Sequence, residues 1–317
     1  MRCASSSGVW KRNASSLLIA LVAVLFAASA LAQKDPVSRA SNQPVEPFRI
    51  AGNLYYVGAS DVTSYLITTP AGHIVIDGGF EETAPMILAN IRRLGFRVED
   101  IRVLLNSHAH YDHAGGLAVL KRATHARFVA SRGDAPLLAR GGKDDPQFGN
   151  HFLFPPIVPD RIIEDGQTVN VGDVTLVAHV TPGHTPGCTT WTTEVRGGGK
   201  TYSVVFVGSP SVPSEYRLTT NPRYPNAVAD YRRQFEILRS LHPDIFLASH
   251  GSMFKLVEKM KTHDFVDPAG YRTFVDAMQR AFEKHLAAET IVVHDGTPSC
   301  STTRVATQSL DSSFFEA

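Results

Sequence analysis

Apolar and polar positions alternate along the chain in blocks typical of strands and helices that follow one another. Residues 63–79 contain two apolar runs separated by Pro-Ala-Gly, which predicts two strands joined by a turn, and residues 101–107 predict a further buried strand. Between them, residues 81–95 place acidic residues early, arginines late and Gly95 last, as helices do. Strand, helix and strand within about thirty residues predict a βαβ unit.

The second half of the chain repeats this order without repeating the sequence. Residues 201–209 predict a strand, residues 227–241 a helix with apolar positions at helical spacing, and residues 243–251 another strand. Residues 174–195 predict two strands joined by a Gly- and Pro-rich loop that carries His184. The strands in VLLNSH and IFLASH each deliver a histidine at the carboxyl end, which is the edge where open α/β sheets bind ligands.

The two ends of the chain are expected to lie outside the folded domain. Residues 1–32 are typical of a secretory signal peptide, with a basic start, an apolar run of about 15 residues and an Ala-x-Ala site that predicts cleavage after Ala32. The apolar run is shorter than the roughly 20 residues of a membrane-spanning helix; an uncleaved anchor is the alternative. Residues 33–47 are expected to form an arm, residues 48–290 the domain, and residues 291–317 a tail for which disorder is expected.

Charge and cysteine content narrow the possible partners. Removal of the signal peptide takes away three basic residues and no acidic one, so the formal net charge changes from +1 to −2. This balance, without a run of Lys and Arg, leaves no electrostatic footprint for nucleic acid. Cys3 leaves with the signal peptide. Cys188 and Cys300 could form a disulfide or remain separate thiols.

The densest chemistry lies in the segment NSHAHYDHAGG, Asn106–Gly116. Four side chains of metal-binding type occupy six positions there: His108, His110, Asp112 and His113. The first two are two residues apart in an extended segment, so they point to the same side and can bind one ion. The other two follow in the turn toward a helix expected to begin near Gly115, and could face a second ion.

Each ion would then be one ligand short. Catalytic zinc usually has three imidazole or carboxylate ligands and an open position for water. His184 and His250, at a loop apex and a strand end, are available to complete the two sets. Gly115 and Gly116 are expected to let the backbone pass close to the metals without an intervening side chain.

These segments resemble the metallo-β-lactamase superfamily. Its H-x-H-x-D-H signature matches the motif above, and the similarity runs from about Phe48 to His285, with TPGHTPGC and ASHGSMF downstream. LLARGGKDDPQFG and NPRYPNAVADYRRQFEILRSL are similar to segments of the third subclass of class B β-lactamases. The resemblance implies an α/β fold, an αββα sandwich of two mixed sheets flanked by helices, with the metals in a groove at one edge.

The resemblance also implies two Zn²⁺ ions per chain. By position, the ligands of the first ion are His108, His110 and His184, and those of the second are Asp112, His113 and His250. Two divalent ions with one carboxylate among their ligands leave a net positive charge in the groove, which favours an anionic substrate. β-Lactams carry a carboxylate.

Two further positions narrow the resemblance within the superfamily. Relatives such as glyoxalase II and the lactonases carry a bridging Asp where this chain has Gly208. Two other lactamase subclasses carry a Cys ligand where it has Ser209. The chain therefore departs from the thioesterase and lactonase pattern and agrees with the third lactamase subclass.

The resemblance implies contacts to substrate as well. Ser209 and Ser211 match positions that hydrogen-bond the substrate carboxylate, and Tyr216 matches one beside the carbonyl oxygen, although all three could be ordinary loop hydroxyls. Asp112 is assigned to catalysis, together with Tyr216, because it would orient the attacking hydroxide. Asp77 resembles a residue that supports the metal-binding loop, and is not expected to be a ligand.

Three aromatic residues in an irregular segment leave two interpretations open. Phe148, Phe152 and Phe154 could wall the groove, or they could pack in the core, which is the commoner position for aromatics at such spacing.

The expected function is hydrolysis of the β-lactam amide bond of penicillins, cephalosporins and carbapenems by a zinc enzyme of the periplasm. The alternative is another hydrolase of the same fold, a lactonase or a thioesterase of the glyoxalase II type, because function resides in the groove and not in the fold. A non-catalytic metal-binding protein is a third hypothesis. A monomer without a membrane anchor is expected, and oligomers are left open.

Overall fold

The structure is a computed structural model that describes residues 40–294. The predicted signal peptide, residues 33–39 of the arm, and the chain beyond residue 294, with Cys300, lie outside the described residues.

Two sheets occupy the centre of the domain. The first has seven strands in chain order, β1 Phe48–Ala51, β2 Leu54–Tyr56, β3 Tyr65–Thr69, β4 Gly72–Ile76, β5 Ile101–Leu105, β6 Arg127–Ser131 and β7 Arg161–Ile163. The second has the order β12-β11-β10-β9-β8, built from β8 Thr168–Val171, β9 Val174–Val180, β10 Thr189–Gly197, β11 Lys200–Val207 and β12 Ile245–Ala248. β4 to β7 pair in parallel, as do β11 and β12, and the other pairs are antiparallel. Both sheets are therefore mixed.

Seven α-helices accompany the sheets within residues 40–294. They are α1 Ala84–Arg93, α2 Tyr111–Ala114, α3 Leu117–Thr124, α4 Ala135–Ala139, α5 Ala227–Ser240, α6 Leu256–Thr262 and α7 Pro268–His294. Short 3-10 turns lie at Glu81–Thr83, Val98–Asp100 and Gly251–Phe254. Within these residues no helix combines the length and the apolar character needed to cross a bilayer.

Alternation along the first sheet builds a layered core. In β4, Ile74 and Ile76 join the apolar cluster between the sheets, whereas Val75 joins a second cluster with Ile87 of α1 and Leu120 of α3. Successive strand residues face opposite sides, so one sheet supplies both layers. Helices α5 and α7 add apolar residues to the same cluster as Ile74 and Ile76. The predicted αββα sandwich is confirmed.

Most of the predicted elements form where the pattern placed them. The βαβ unit appears as β4, α1 and β5, with β4 and β5 parallel. α1 begins with Pro85 in its first turn and ends with Arg92 and Arg93, where Gly95 at φ +86° takes the left-handed conformation that follows a helix end. The strands before and after the loop of His184 are β9 and β10.

The described part of the predicted arm contacts the domain. The backbone carbonyl of Ser41 accepts hydrogen bonds from the amides of Asp61 and Val62, and that of Gln43 accepts one from the amide of Ser60. At the other end, α7 continues to His294, four residues past the predicted domain boundary at residue 290.

Candidate metal centre

The metal-binding motif lies at the carboxyl end of β5, beside the end of β12. His108 and His110 follow β5 in an extended segment, and the carbonyl of His110 accepts a hydrogen bond from Ala114, which starts the one-turn helix α2. Asp112 and His113 therefore lie within a helical turn that begins at Tyr111, earlier than the predicted helix start near Gly115. The two sheets thus bring their histidine-bearing ends to one edge.

Three imidazoles form the first group. The side chains of His108, His110 and His184 place ligand atoms within 4.8 Å of one another, and Nδ1 of His110 lies 3.1 Å from Nε2 of His184. Nε2 of His108 is buried and has no hydrogen-bond partner among the described residues. Burial lowers the pKa of His108 and His184 well below the usual value, and the neighbouring imidazoles lower it further. Neutral imidazoles are the form that binds a metal, so the group fits a divalent ion.

The second group combines one carboxylate with two imidazoles. Nε2 of His113 lies 3.2 Å from Nε2 of His250 and 3.2 Å from Oδ2 of Asp112, which lies 3.4 Å from His250. Asp112 and His113 also lie within 4.8 Å of His108, so the two groups adjoin. This donor set suits zinc.

Opposite charges attract one another within the second group. Burial lowers the pKa of His113 and His250, but carboxylates outweigh it: Asp112 and Asp77 raise the pKa of His113, and Asp112 and Asp61 raise that of His250 to about 10. Burial would also raise the pKa of Asp112, yet the two imidazoles hold it well below its usual range. A bound cation would take the place of these protons.

Polar groups of the protein lie beside the imidazole nitrogens that face away from the centre, although Nδ1 of His113 makes no hydrogen bond with its neighbour Asp77. His184 Nδ1 lies 3.0 Å from the carbonyl oxygen of Ser211, and His108 Nδ1 lies 3.1 Å from Oγ of Ser107. Carboxylates lie opposite the other three histidines, in the pairs His250–Asp61 (2.9 Å), His113–Asp77 (3.5 Å) and His110–Asp145 (3.5 Å). Such partners fix the orientation and tautomer of metal-binding histidines.

Asp77 lies where the resemblance implied, under the metal-binding loop. Its Oδ1 accepts a hydrogen bond of 2.7 Å from the amide of Ser107, and its backbone takes the left-handed conformation at φ +64°. A residue other than glycine rarely adopts this conformation unless its surroundings enforce it.

The two glycines after the motif serve a purpose other than the predicted one. A Cβ on Gly116 would lie 2.1 Å from the carbonyl oxygen of Gly78, and one on Gly115 would lie 2.3 Å from that of Tyr111. The glycines allow close packing against the turn after β4, and the expectation that they make room beside the metals was wrong.

Sequence reasoning missed three carboxylates around the site, two of them buried and the third, Asp61, partly exposed. Asp134 accepts hydrogen bonds from the amides of Ala109 and Gly187 and the hydroxyl of Thr185, so it joins the motif to the loop of His184. Burial raises the pKa of Asp134 to about 6. Asp61 and Asp145, opposite His250 and His110, are the other two. Each is an isolated acid in the sequence, and no local signal distinguishes it.

The predicted substrate-binding hydroxyls cluster beside the first group. Oγ of Ser209 and Oγ of Ser211 are 3.0 Å apart, and Ser211 contacts His184 through its carbonyl oxygen. Tyr216 is completely buried, and its hydroxyl donates to the carbonyl oxygen of His184 at 3.0 Å while lying 3.5 Å from Nε2 of His110. The structure thus gives Tyr216 a contact with the loop of His184, and its role beside a substrate carbonyl stays a prediction.

Because the Tyr216 hydroxyl is occupied by a backbone carbonyl, we expect Tyr216→Phe to lower kcat/KM by less than about tenfold, the loss of a single hydrogen bond. Tyr231→Phe is a matched control, because that buried hydroxyl also donates to a backbone carbonyl, that of Ser211, at 2.7 Å. Steady-state kinetics on both variants checks this. A loss of about 100-fold or more for Tyr216→Phe alone, at unchanged metal content, would instead indicate direct contact with the reacting oxygen.

The three aromatic residues divide between the two predicted positions. The ring of Phe148 lies 5.1 Å from that of His110, and Phe152, with 37% of its surface exposed, stacks on Tyr111 at 4.6 Å. Phe154 is buried in the core. The first two therefore flank the metal-binding motif.

Cys188 is buried and forms no disulfide within residues 40–294. Burial raises its pKa, and its sulfur accepts a hydrogen bond from the amide of Ser209 at 3.2 Å. Since Cys300 lies outside the described residues, pairing between the two stays open.

Comparison with known proteins identifies the family. The sequence profile of the metallo-beta-lactamase superfamily matches residues 57–250, more than half of the chain. The chain belongs to the metallo-beta-lactamase superfamily. The superfamily's domain thus spans the region from the end of β2 to His250, which includes all six predicted ligands.

Comparison with solved structures shows which members of this superfamily the chain is similar to. FEZ-1 metallo-beta-lactamase from Legionella gormanii is 41% identical, with a TM-score of 0.77 over 78% of this chain and 98% of that one. BJP-1, a subclass B3 metallo-beta-lactamase of Bradyrhizobium japonicum, is 36% identical, with a TM-score of 0.76 over 80% of this chain and 98% of that one. The resemblance to the third subclass is confirmed, and this superfamily member is a hydrolase whose His and Asp cluster fits a divalent metal.

Curated relatives from other branches match a smaller part. An N-acyl homoserine lactonase, AttM of Agrobacterium fabrum, is 31% identical over 40% of this chain and 57% of its own length. A hydroxyacylglutathione hydrolase of Rhodopseudomonas palustris is 32% identical over 40% of this chain and 41% of its own length. The chain thus spans about half the length of these relatives.

Proposed function

We propose that the protein hydrolyses the amide bond of β-lactam antibiotics with two zinc ions held by the six-ligand site. The observation that carries this proposal is the likeness to FEZ-1 and BJP-1 over 98% of their length, combined with the arrangement of the six side chains. Penicillins, cephalosporins and carbapenems are the proposed substrates.

Zinc, when bound, would lower the pKa of a coordinated water from about 15.7 to about 7 and polarise the lactam carbonyl. The first ion would be held by His108, His110 and His184, and the second by Asp112, His113 and His250. Asp112 keeps 16% of its side chain exposed toward solvent, so its carboxylate can accept a hydrogen bond from the water that attacks the carbonyl and orient it.

The neighbouring side chains suit a substrate with a carboxylate and an apolar body. Ser209 and Ser211 offer two hydroxyls 3.0 Å apart to the carboxylate. Phe148, whose ring lies 5.1 Å from that of His110, and the exposed Phe152 beside it offer apolar surface. In ligand pockets, apolar surface covers most of the ligand and a few polar groups fix its orientation.

One observation weighs against a lactonase or a thioesterase. A Cβ on Gly208 would lie 2.6 Å from the sulfur of Cys188 and 2.8 Å from the carbonyl oxygen of Thr189. Glyoxalase II and the lactonases carry an Asp at this position. The packing around Gly208 leaves no room for such a side chain.

A substrate panel tests the proposal. We expect the purified chain from Gln33 to hydrolyse a penicillin and a carbapenem much faster than an acyl-homoserine lactone or a glutathione thioester. Since metal would supply both activation and polarisation, a chelator should lower the β-lactam turnover by at least about 100-fold, and Zn²⁺ should restore it. A metal count by mass spectrometry accompanies the assay.

The outcomes separate the three hypotheses. Lactone or thioester turnover far above β-lactam turnover would establish the alternative hydrolase. Two bound zinc ions without turnover of any of the four substrates would favour a non-catalytic metal-binding protein.

We also propose export to the periplasm, supported by the signal-peptide pattern of residues 1–32. Cell fractionation and the N-terminal sequence of the mature protein test it, and Gln33 is the expected first residue. A monomeric state is part of the same proposal.

A further inference from the structure

Asp61 connects the second group of ligands to a distant turn of the chain. It lies between β2 and β3, outside the metal-binding motif, and its Oδ2 accepts a hydrogen bond from Nδ1 of His250 at 2.9 Å. Its Oδ1 accepts one from the amide of Ser252 at 2.7 Å, and its carbonyl oxygen accepts one from the amide of Gly251 at 2.7 Å. Asp61 thus holds the ring of His250 together with the backbone after it.

The contact between Asp61 and His250 is shorter than the other carboxylate–histidine contacts of the site. The pairs His113–Asp77 and His110–Asp145 are both 3.5 Å long, against 2.9 Å for His250–Asp61. A carboxylate that accepts from Nδ1 fixes the tautomer in which Nε2 keeps its lone pair. In His250 that Nε2 atom faces His113 and Asp112.

Residues 40–43 hold the turn of Asp61 from outside. The carbonyl of Ser41 accepts from the amides of Asp61 and Val62 at 3.0 and 3.1 Å. The side chain of Ser60 donates to the carbonyl of Ala40 at 2.8 Å and accepts from the amide of Gln43 at 3.0 Å. A segment that the sequence pattern describes as a connector therefore supports the carboxylate that orients His250.

We propose that Asp61 is a positioning residue for the second metal and that residues 40–43 hold it in place. The proposal rests on the two-metal site proposed above. Loss of a carboxylate that orients a metal-binding histidine typically weakens metal binding by about 10–100-fold. Because Asp61 contacts none of the first-group histidines within residues 40–294, the loss should be confined to the second ion.

The test is a metal titration that uses no substrate. Metal-free protein is titrated with Zn²⁺ against a chromophoric chelator, and then with Co²⁺, whose visible absorption reports coordination. We expect Asp61→Asn to raise the dissociation constant of the second ion by about 10–100-fold and to leave that of the first ion unchanged. A chain that begins at Pro44 should change in the same direction and by less.

Asp276→Asn is the matched control. Asp276, on α7, forms an ion pair of 2.8 Å with Arg239 of α5. We expect both dissociation constants of this variant to equal those of the wild type. Circular dichroism and Tm of the metal-free variants show whether the fold is retained. The asparagine keeps the shape of the side chain, so it separates positioning from a packing defect.

Three results would overturn the inference. If each of the two dissociation constants is the same in Asp61→Asn as in the wild type, His250 needs no such support. If both ions bind more weakly by the same factor, the effect of the substitution is a general structural one. If the wild type takes up two ions but hydrolyses no β-lactam, the proposed function fails while this inference stands. A wild-type chain that binds a single ion would overturn both the two-metal site and the inference.

Discussion

Asp112→Ala is expected to lower β-lactam turnover by about 10²–10⁴-fold, the range for loss of a positioned acid–base group, while the fold stays intact. Oδ2 of Asp112 lies 3.2 Å from Nε2 of His113 and 3.4 Å from Nε2 of His250, so its removal takes from both imidazoles the carboxylate beside their Nε2 atoms. The second ion would lose its one anionic ligand, and the attacking water would lose its acceptor. Because the residue lies in the one-turn helix α2, partly exposed, no core contact is removed.

Kinetics, metal content and circular dichroism on the same preparation check this expectation. We expect about one ion per chain to remain, held by His108, His110 and His184. Asp144→Ala, an acid on the surface of the loop before Asp145, is a control whose turnover should match the wild type. Near-normal turnover in Asp112→Ala would show that the second group of ligands is assigned wrongly.

The parts of this centre that sequence predicted are those with local signals. Strand β5 is a short apolar run, and His108 and His110 follow it at the two-residue spacing of an extended chain, so their convergence follows from backbone geometry alone. His184 and His250 were found because each follows a predicted strand in a loop or turn. The layered fold was predictable for the same reason, since a strand with apolar residues on both faces needs a layer on each side.

The parts that sequence could not supply depend on contacts between distant segments. Asp61 meets His250 across 189 residues, and Asp134 meets Gly187 across 53. A single acid between a strand and a turn carries no periodic pattern, so nothing in the sequence separates it from a solvated surface residue. The role of Gly116 was mistaken for the same reason, because its close neighbour, the carbonyl of Gly78, belongs to another turn.

Gly208 shows how such a distant contact restricts chemistry. The φ angle of Gly208 is not in the positive range that favours glycine, so the backbone conformation would permit a side chain. A Cβ would nevertheless lie 2.6 Å from Sγ of Cys188 and 2.8 Å from the carbonyl oxygen of Thr189. Cys188 is fully buried and its sulfur accepts from the amide of Ser209, so it has little room to move. Packing therefore enforces the glycine that distinguishes this chain from the bridging-Asp pattern.

We expect Gly208→Ala to destabilise the protein by about 1–3 kcal/mol, the usual cost of overpacking a core. For a domain of this size that lowers Tm by about 2–12 °C. Gly208→Asp should be worse, because it adds a buried carboxylate, and it should not confer lactone hydrolysis. Thermal unfolding of the metal-free proteins measures the effect. Adding Cys188→Ala should restore part of the loss, but not all, because the Thr189 carbonyl remains; an unchanged Tm in Gly208→Ala would show that Cys188 yields easily and that packing does not exclude the carboxylate.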